Sequence, residues 1–282
     1  MSNGEGILYI VATPIGNLGD FTARAIEVLK SVDLIAAEDT RHSLPLLQQY
    51  GIRTQLISLH AYNEHDKGQF LLDKVEAGQS LALISDAGTP LISDPGYLLV
   101  QQAHARKLRV SPIPGVSALI AALSVCGLPT DRFVFEGFLP AKAVARRAVL
   151  TELKSEARTI IFYESSHRIM DSISDMVTIL GGDREAVMAR ELTKRFETVR
   201  KMCLSAMLQW IKEDPLQQKG EFVILLRGAE LADQSTQKLE AVLSILLAEL
   251  PLKQATGLAA RLLDCKRNEA YQMALKLQKI TD

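Results

Sequence analysis

The chain has 282 residues, 48% of them apolar and 23% charged. That suffices for about two domains of roughly 150 residues, each with its own core, and excludes a disordered polymer or a stapled peptide. Lysine and arginine total 32 against 33 acids, a net charge of −1, so no global field marks a protein that coats nucleic acid and any polyanion must be held locally.

In chain order, the short apolar runs ILYIVA (7–12), DLIAAE (33–38), QLISL (55–59), LALIS (81–85) and RVSPI (109–113) have the length of buried strands. Helical segments separate them, which predicts a mostly parallel sheet covered on both faces. After the first strand, Phe21, Ala25, Ile26 and Leu29 form the buried stripe of a helix whose other side carries Arg24, Glu27 and Lys30. A second series follows the helical stretch Val116–Cys126: FVFEGF (133–138), TIIFYES (159–165), AVMARE (186–191), FETVRKM (196–202) and EFVILLR, ending at Arg227. This predicts a second α/β domain, with the boundary at the turn-rich PIPG, near Pro114. Beyond Gly228, AELADQST reads as a linker. Leu239, Val242, Leu243, Leu246, Leu247 and Leu250 then form a helical stripe, followed by helices over Lys253–Leu263 and Asn268–Lys279, the second capped by Asn268. The expected organisation is residues 1–114 and 115–228 as two α/β domains and 229–282 as a linker and a small C-terminal helical appendage of helix-turn-helix type.

The three cysteines, Cys126, Cys203 and Cys265, have neither disulfide nor zinc spacing. The longest nearly apolar run, Val116 to Leu128, is shorter than the roughly 20 residues that span a bilayer. MSNGEGILYIV lacks the basic start of a signal peptide. A reducing cytoplasm is the expected compartment, with no membrane partner. HAYNEHD (60–66) has metal-binding residue types without fixed ligand spacing and reads as a polar loop, so no metal is expected.

Three strand-to-helix loops carry most of the chemistry. Pro14 and Gly16, in TPIGNLGD, follow the first strand, where an open α/β sheet presents backbone to a nucleotide-like ligand. Gly16 and Gly19 keep part of a dinucleotide fingerprint, and Glu38 and Asp39 lie about 20 residues on, where such folds hold a ribose, so NAD stays open here. The densest signal is SDAGTPLISDPG (85–96), where Asp86, Ala87, Gly88, Thr89 and Pro90 sit among prolines and glycines that fix a loop and let backbone approach a ligand. Ser117 and Ala118, in PIPGVSA, would let a ligand lie close to a helix start. These loops converge at the carboxyl ends of the strands and predict one crevice. In the second domain, Tyr163 and Glu164 in FYESSHR and Glu191 in ARELTKR end apolar strands. His42 and Arg41, in AEDTRHS, stand beside two carboxylates just past a strand, with His42 read as a substrate contact ahead of a proton acceptor or a plain surface histidine.

Taken in order, VATPIGNLGD, AEDTRHS, LISDAGTPLISDPG, PIPGVSALIAAL, GLPTDRFVFEGFLP, FYESSHRI and ARELTKRFE closely resemble the bacterial small-subunit ribosomal RNA cytidine 2′-O-methyltransferases. Those enzymes belong to the tetrapyrrole (corrin/porphyrin) methylase superfamily. The similarity runs from about Gly6 to Gly228 and on through the tail. It implies two α/β domains of the tetrapyrrole methylase type, S-adenosylmethionine folded into the cleft between them, and a homodimer. The loop with Gly88, Thr89 and Pro90 matches the superfamily's Gly-Asp-Pro cofactor loop, with Thr89 in place of the aspartate. Pro114 to Ala118 matches its second cofactor segment. Thr13 to Leu18 replaces the Gly-rich first loop of the tetrapyrrole-modifying members, as in the RNA-modifying branch.

The activity so implied is methyl transfer to a cytidine 2′-hydroxyl in the decoding region of 16S ribosomal RNA. Such an in-line displacement needs alignment and a proton acceptor. Glu38, Asp39, His42, Glu164 and Glu191 are the candidates, undecided among themselves and with water as an alternative. Expected cofactor contacts are Pro14, Gly16, Asp86, Ala87, Gly88, Thr89, Pro90, Ser117, Ala118 and Tyr163. The partner is RNA in the small ribosomal subunit and not DNA. Arg41 and the tail residues Lys253, Arg261, Lys266, Arg267 and Lys276 are the expected RNA contacts. Lys253 to Lys279 carries a local charge of +4, and a second basic stretch contains Lys142, Arg146, Arg147, Lys154 and Arg158. A tetrapyrrole methyltransferase and a non-catalytic ribosome-assembly factor are the rival readings.

Overall fold

Nearly continuous apolar strands, the central ones buried on both faces, organise the first half of the chain. In the computed structural model, which describes residues 5–60, 63–229 and 231–281, this half runs β1 (Ile7–Val11), α1 (Ala23–Ser31), β2 (Leu34–Ala37), α2 (Thr40–Gln49), β3 (Leu56–Ser58), α3 (Glu64–Glu76), β4 (Leu81–Ile84), α4 (Tyr97–Ala105) and β5 (Arg109–Ile113). The strands form one parallel sheet in the order β3-β2-β4-β1-β5. Ile35, Ala37, Ala82 and Ile84 point to one face, under α1 and α2, where Phe21, Ala25, Leu29 and Leu47 are buried. Leu34, Ala36, Leu81 and Leu83 point to the other, against Leu71, Leu72 and Val75 of α3 and Leu99 and Ala103 of α4. Both faces are covered, so the strands read as apolar runs without visible alternation. Because β4 inserts between β1 and β2, the loops leaving β1, β2 and β4 lie side by side at the carboxyl edge of the sheet.

The second half runs α5 (Ala118–Val125), β6 (Phe133–Phe138), α6 (Ala143–Glu152), β7 (Thr159–Ser165), α7 (Ile169–Leu180), β8 (Glu185–Arg190), β9 (Thr198–Cys203), α8 (Leu204–Glu213) and β10 (Glu221–Leu226). Its sheet has the order β6-β7-β10-β8-β9 and is mixed: β6 pairs parallel to β7, while β10 runs antiparallel to β7 and β8, and β8 antiparallel to β9. Ile160, Phe162, Met188 and Ile224 face α6, α7 and α8. Ile161, Val187, Val223 and Leu225 face α5, together with Ile15 from the β1 loop. Thus α5 packs on the second sheet although it follows directly from the last strand of the first.

The tail consists of α9 (Leu231–Glu249), α10 (Leu252–Leu262) and α11 (Arg267–Thr281), which bury Leu239, Leu243, Ala259, Ala270 and Ala274 against one another. Two readings of this region change. AELADQST is not a linker throughout: α9 starts at Leu231 and takes up its last residues, with Glu230 outside the described residues. Ser235 to Lys238 are exposed, so the polarity belongs to the solvent-facing early turns of a helix whose apolar stripe starts later. In addition, α11 begins at Arg267, one residue before the expected cap. Among the described residues no helix is long and apolar enough to cross a membrane, and no cluster of His, Cys, Asp and Glu could hold a metal. Ala61, Tyr62 and the side chain of His65, within the metal-type stretch, lie outside the described residues, as do the first four residues and the Lys279 side chain.

Candidate active site between the two sheets

The three loops of the first sheet are tied to one another by their backbones. Thr13 N donates to Gly88 O at 2.8 Å and Gly88 N to Thr13 O at 3.0 Å, while Thr13 Oγ1 donates to Ser85 O at 3.2 Å. Thr89 Oγ1 donates to Val116 O at 3.0 Å, joining the β4 loop to the β5 loop. Asp86 Oδ1 accepts from Asp39 N at 3.1 Å, joining it to the end of β2. Gly88 has a φ of +81°, which only glycine adopts without strain. Its N–H and C=O both bond to Thr13, so Gly88 ties the two loops together at the cavity wall.

Against this edge lies the α5-covered face of the second sheet, and between them opens a cavity of about 470 Å³. From the first half come Ile15, Glu38, Asp86, Ala87, Gly88, Thr89, Ile92, Ser93 and Asp94; the start of α5 adds Ser117 and Ala118. From the second come Phe138, Tyr163, Glu164, Ser165, Ser166, Ala189, Leu192 and Gly220 to Val223. Tyr163 joins the halves. Its hydroxyl accepts from Leu119 N at 3.2 Å, satisfying an N–H at the start of α5 that the Ser117 side chain leaves uncapped. Phe135 and Phe138 pack edge-on against its ring at 4.8 and 5.7 Å. Burial, eased by hydrogen bonds at Leu119 and Ser117, pushes the phenol upward, so it stays neutral.

Nine of the expected site residues thus share one cavity: Glu38, Asp86, Ala87, Gly88, Thr89, Ser117, Ala118, Tyr163 and Glu164. The others lie elsewhere. Pro14 and Pro90 are buried behind the wall, and Gly16 packs against the Lys194 side chain. The loop holding Gly16 continues through a single turn at Leu18–Asp20 before α1 starts at Ala23, capped by Thr22. No helix start therefore faces a ligand there. Asp39 caps α2, and Arg41 grips it with Nη2–Oδ2 at 2.7 Å; this Arg41 pairing holds its carboxyl well below the usual range. His42 is exposed on α2, outside the cavity.

The carboxylates differ in what they can do. Glu164, 3% exposed, accepts from Ser165 N at 2.8 Å and Ser172 Oγ at 2.6 Å and pairs with Arg168 at 3.1 Å. It is a structural brace between β7 and α7. Glu191 accepts from Lys194 Nζ and Glu221 N, each at 3.0 Å. Burial opposes its charge, but these bonds outweigh burial and hold its carboxyl below the usual range. Of these two base candidates, Glu164 has both oxygens hydrogen-bonded at the cavity wall, whereas Glu191 lies outside the cavity lining and is held through Oε1 alone. Glu38 is pushed upward by burial and by Asp86. Asp94 is pushed up to about 7 by burial and by the Glu38 charge. Asp94 does not stand out in the sequence although it lies inside SDAGTPLISDPG. The Gly220–Val223 wall carried no signal at all, being ordinary strand sequence.

In the tail, Lys253, Arg261, Lys266, Arg267 and Lys276 are all exposed. Lys253 and Arg267 line a cleft between the starts of α10 and α11 with Thr256, Asn268 and Tyr271. The second basic stretch is not a free patch. Arg146 and Arg147 both bind Asp175 at 2.7 Å, and Arg158 binds Glu156 at 2.6 Å.

Two α/β units closing on such a cavity define a known class: residues 7–207 match the model for Tetrapyrrole (Corrin/Porphyrin) Methylases, and the chain belongs to that family. It is a methyltransferase, which overturns the NAD reading. Residues 233–278 match a second model, described as an RsmI C-terminal HTH domain. The chain is 52% identical over 277 residues to Ribosomal RNA small subunit methyltransferase I of Pseudomonas aeruginosa, covering 97% of this chain and 98% of that protein. With the protein of the same name from Vibrio cholerae it shares 53% over 276 residues, 97% of this chain and 96% of the other. Among solved structures, cobalt precorrin-4 methyltransferase superposes with a TM-score of 0.57 at 15% identity, covering 78% of this chain and 94% of that one. Diphthine synthase gives 0.58 at 12%, covering 78% and 89%. At such identities these two speak for the fold alone.

Proposed function

We propose that the chain transfers a methyl group from S-adenosylmethionine to the 2′-hydroxyl of a cytidine in the decoding region of 16S ribosomal RNA, within the small ribosomal subunit. It does so in the cytoplasm and as a homodimer. The observation that carries the reading is whole-length similarity, tail included, to proteins named for small-subunit ribosomal RNA methylation.

The cavity suits the donor. Its volume of about 470 Å³ lies in the range of small-molecule sites. Ile15, Ala118, Leu192 and Val223 offer apolar walls for a flat base. The start of α5 at Ser117 and Ala118 offers backbone N–H groups and a positive dipole end to a carboxylate. When bound, S-adenosylmethionine supplies an electrophilic methyl on a cationic sulfur. Glu38, Asp86 and Asp94 make the cavity acidic, which favours a cation and repels phosphate. The RNA backbone is therefore held outside, and the exposed basic residues of α10 and α11 are the grip we assign to it.

Labelled S-adenosylmethionine incubated with the protein and small ribosomal subunits tests the reading. Label on one ribose of 16S ribosomal RNA is expected. Label on a base refutes the ribose assignment, label in a porphyrinoid precursor refutes the RNA substrate, and subunit binding without donor affinity refutes the enzyme. Sedimentation mass checks the dimer.

A further inference from the structure

Five carboxylates line the cavity, and three have other work. Glu164 is braced by Ser172 and Arg168. Glu221 pairs with Lys194 at 2.8 Å. Asp86 spends one oxygen on Asp39 N. Glu38, at the end of β2, and Asp94, in the β4–α4 loop, make no ion pair among the described residues.

The loop that carries Asp94 is held in an unusual shape. Leu91 and Ser93 have φ of 72° and 69°, a left-handed conformation that L-residues adopt only where the surroundings enforce it. Gly96 follows with φ 124°, and a Cβ there would lie 2.6 Å from Leu83 Cδ2. Ser93 Oγ reaches across to the β6 bulge, 3.2 Å from where a Cβ on Gly137 would sit. The strain thus sets Asp94 at the junction of the two sheets.

We propose that Asp94, with Glu38 beside it, accepts the proton that the substrate ribose hydroxyl loses as it is methylated, an assignment that rests on the ribose reading above. The substrate oxygen exchanges hydrogen for methyl. Its O–H bond breaks and an O–CH3 bond forms, the S–CH3 electron pair stays on sulfur as a neutral thioether, and the proton passes to an Asp94 carboxylate oxygen and on to water. An ordinary carboxylate, with a pKa near 3.9, is a weak acceptor for such a proton, and a base poised near the working pH serves best. Asp94 meets that need. Burial and the Glu38 charge raise it to about 7, with Asp86 adding to the rise and the Ser85 hydroxyl opposing it. The Tyr163 phenol feels the Asp94 charge from the second sheet, and His60 acts beyond it on Glu38.

The test uses the full chain in two assays. With 13C-labelled aspartate, carbon-detected NMR of the free protein is expected to show one carboxyl titrating near pH 7. That signal disappears in Asp94→Asn and moves to lower pH in Glu38→Gln. In single-turnover methylation of small subunits, the wild-type rate is expected to rise through pH 7 and level off. Asp94→Asn is expected to lose about 10²–10⁴-fold of that rate, with S-adenosylmethionine affinity within about threefold by calorimetry. Glu38→Gln shifts the rise to lower pH, and this keeps the proposal testable if Asp94→Asn does not fold. Absence of any aspartate titrating above pH 6, an unmoved profile in Glu38→Gln, or ribose methylation by Asp94→Asn at a near wild-type rate overturns the assignment alone. A methyl mapped to a base overturns the ribose reading and the proposal with it, whatever the titration shows.

Discussion

Replacing Gly88 by alanine tests whether the loop junction governs the cavity. Gly88 has a φ of +81° and sits in the two-way backbone bridge to Thr13, with hydrogen bonds of 2.8 and 3.0 Å. A Cβ there would lie 3.4 Å from Ile15 Cγ2 and 3.7 Å from Val116 O, so there is room for it. The cost is then conformational, about 1–2 kcal/mol for an L-residue held left-handed. Relaxing that strain turns the peptide away from Thr13 and carries Ala87 and Thr89, both on the cavity wall, with it. Gly51 is the control: its φ is +66°, nothing lies within 4 Å of an added Cβ, and it sits in the turn between α2 and β3, away from the cavity. Both alanine variants should lose similar stability in thermal melts. Gly88→Ala alone should bind S-adenosylmethionine about tenfold more weakly by calorimetry, equivalent to about 1.4 kcal/mol. Wild-type affinity in Gly88→Ala, or equal weakening in Gly51→Ala, would refute the argument.

Ser117→Phe should abolish S-adenosylmethionine binding in the same titration while leaving the melt cooperative, because the ring fills the cavity at the start of α5. Asp175→Asn should cost about 3–5 kcal/mol at pH 7 by urea unfolding, since it leaves the 4%-exposed Arg146 buried without its partner. Burial opposes the Asp175 charge, but hydrogen bonds from Arg147 and Arg146 outweigh burial and lower its pKa. The deficit should therefore be complete above the unfolded carboxylate value near 3.9 and fade as pH falls through the lower folded value. Asp94 works in the opposite sense: its folded value of about 7 penalises the folded state once the unfolded chain ionises. Asp94→Asn should accordingly raise the melting temperature at pH 8 and have little effect at pH 4. Truncation after Ala229, which keeps the Ala229 N–H bond to Glu156 O, should leave S-adenosylmethionine affinity intact by calorimetry. It should also flatten the salt dependence of RNA binding, by about one unit of slope for each phosphate that the tail no longer neutralises.

The strands, the helices and the positions of the three loops were legible in the sequence residue by residue, because each depends on local pattern. A strand buried on both faces is an apolar run wherever it lies in a sheet, and a Gly- and Pro-rich turn is legible residue by residue. The helical tail was legible for the same reason, although the early polar turns of α9 lacked the apolar stripe that marks a helix and read as linker. The rest was not legible there, because it depends on what folding brings close from far along the chain. The mixed order of the second sheet follows from β10 entering between β7 and β8, which no property of the EFVILL segment announces. Glu164 and Glu191 look like free acids at strand ends until Arg168, Ser172 and Lys194 are placed against them. Arg146 and Arg147 look like an RNA patch until α7 brings Asp175 between them. Asp94 is one acid among 33 in the sequence. Its distinct chemistry arises from burial and from the Glu38 and Asp86 charges that the β2 and β4 edges bring beside it, and those are properties of neighbours in space.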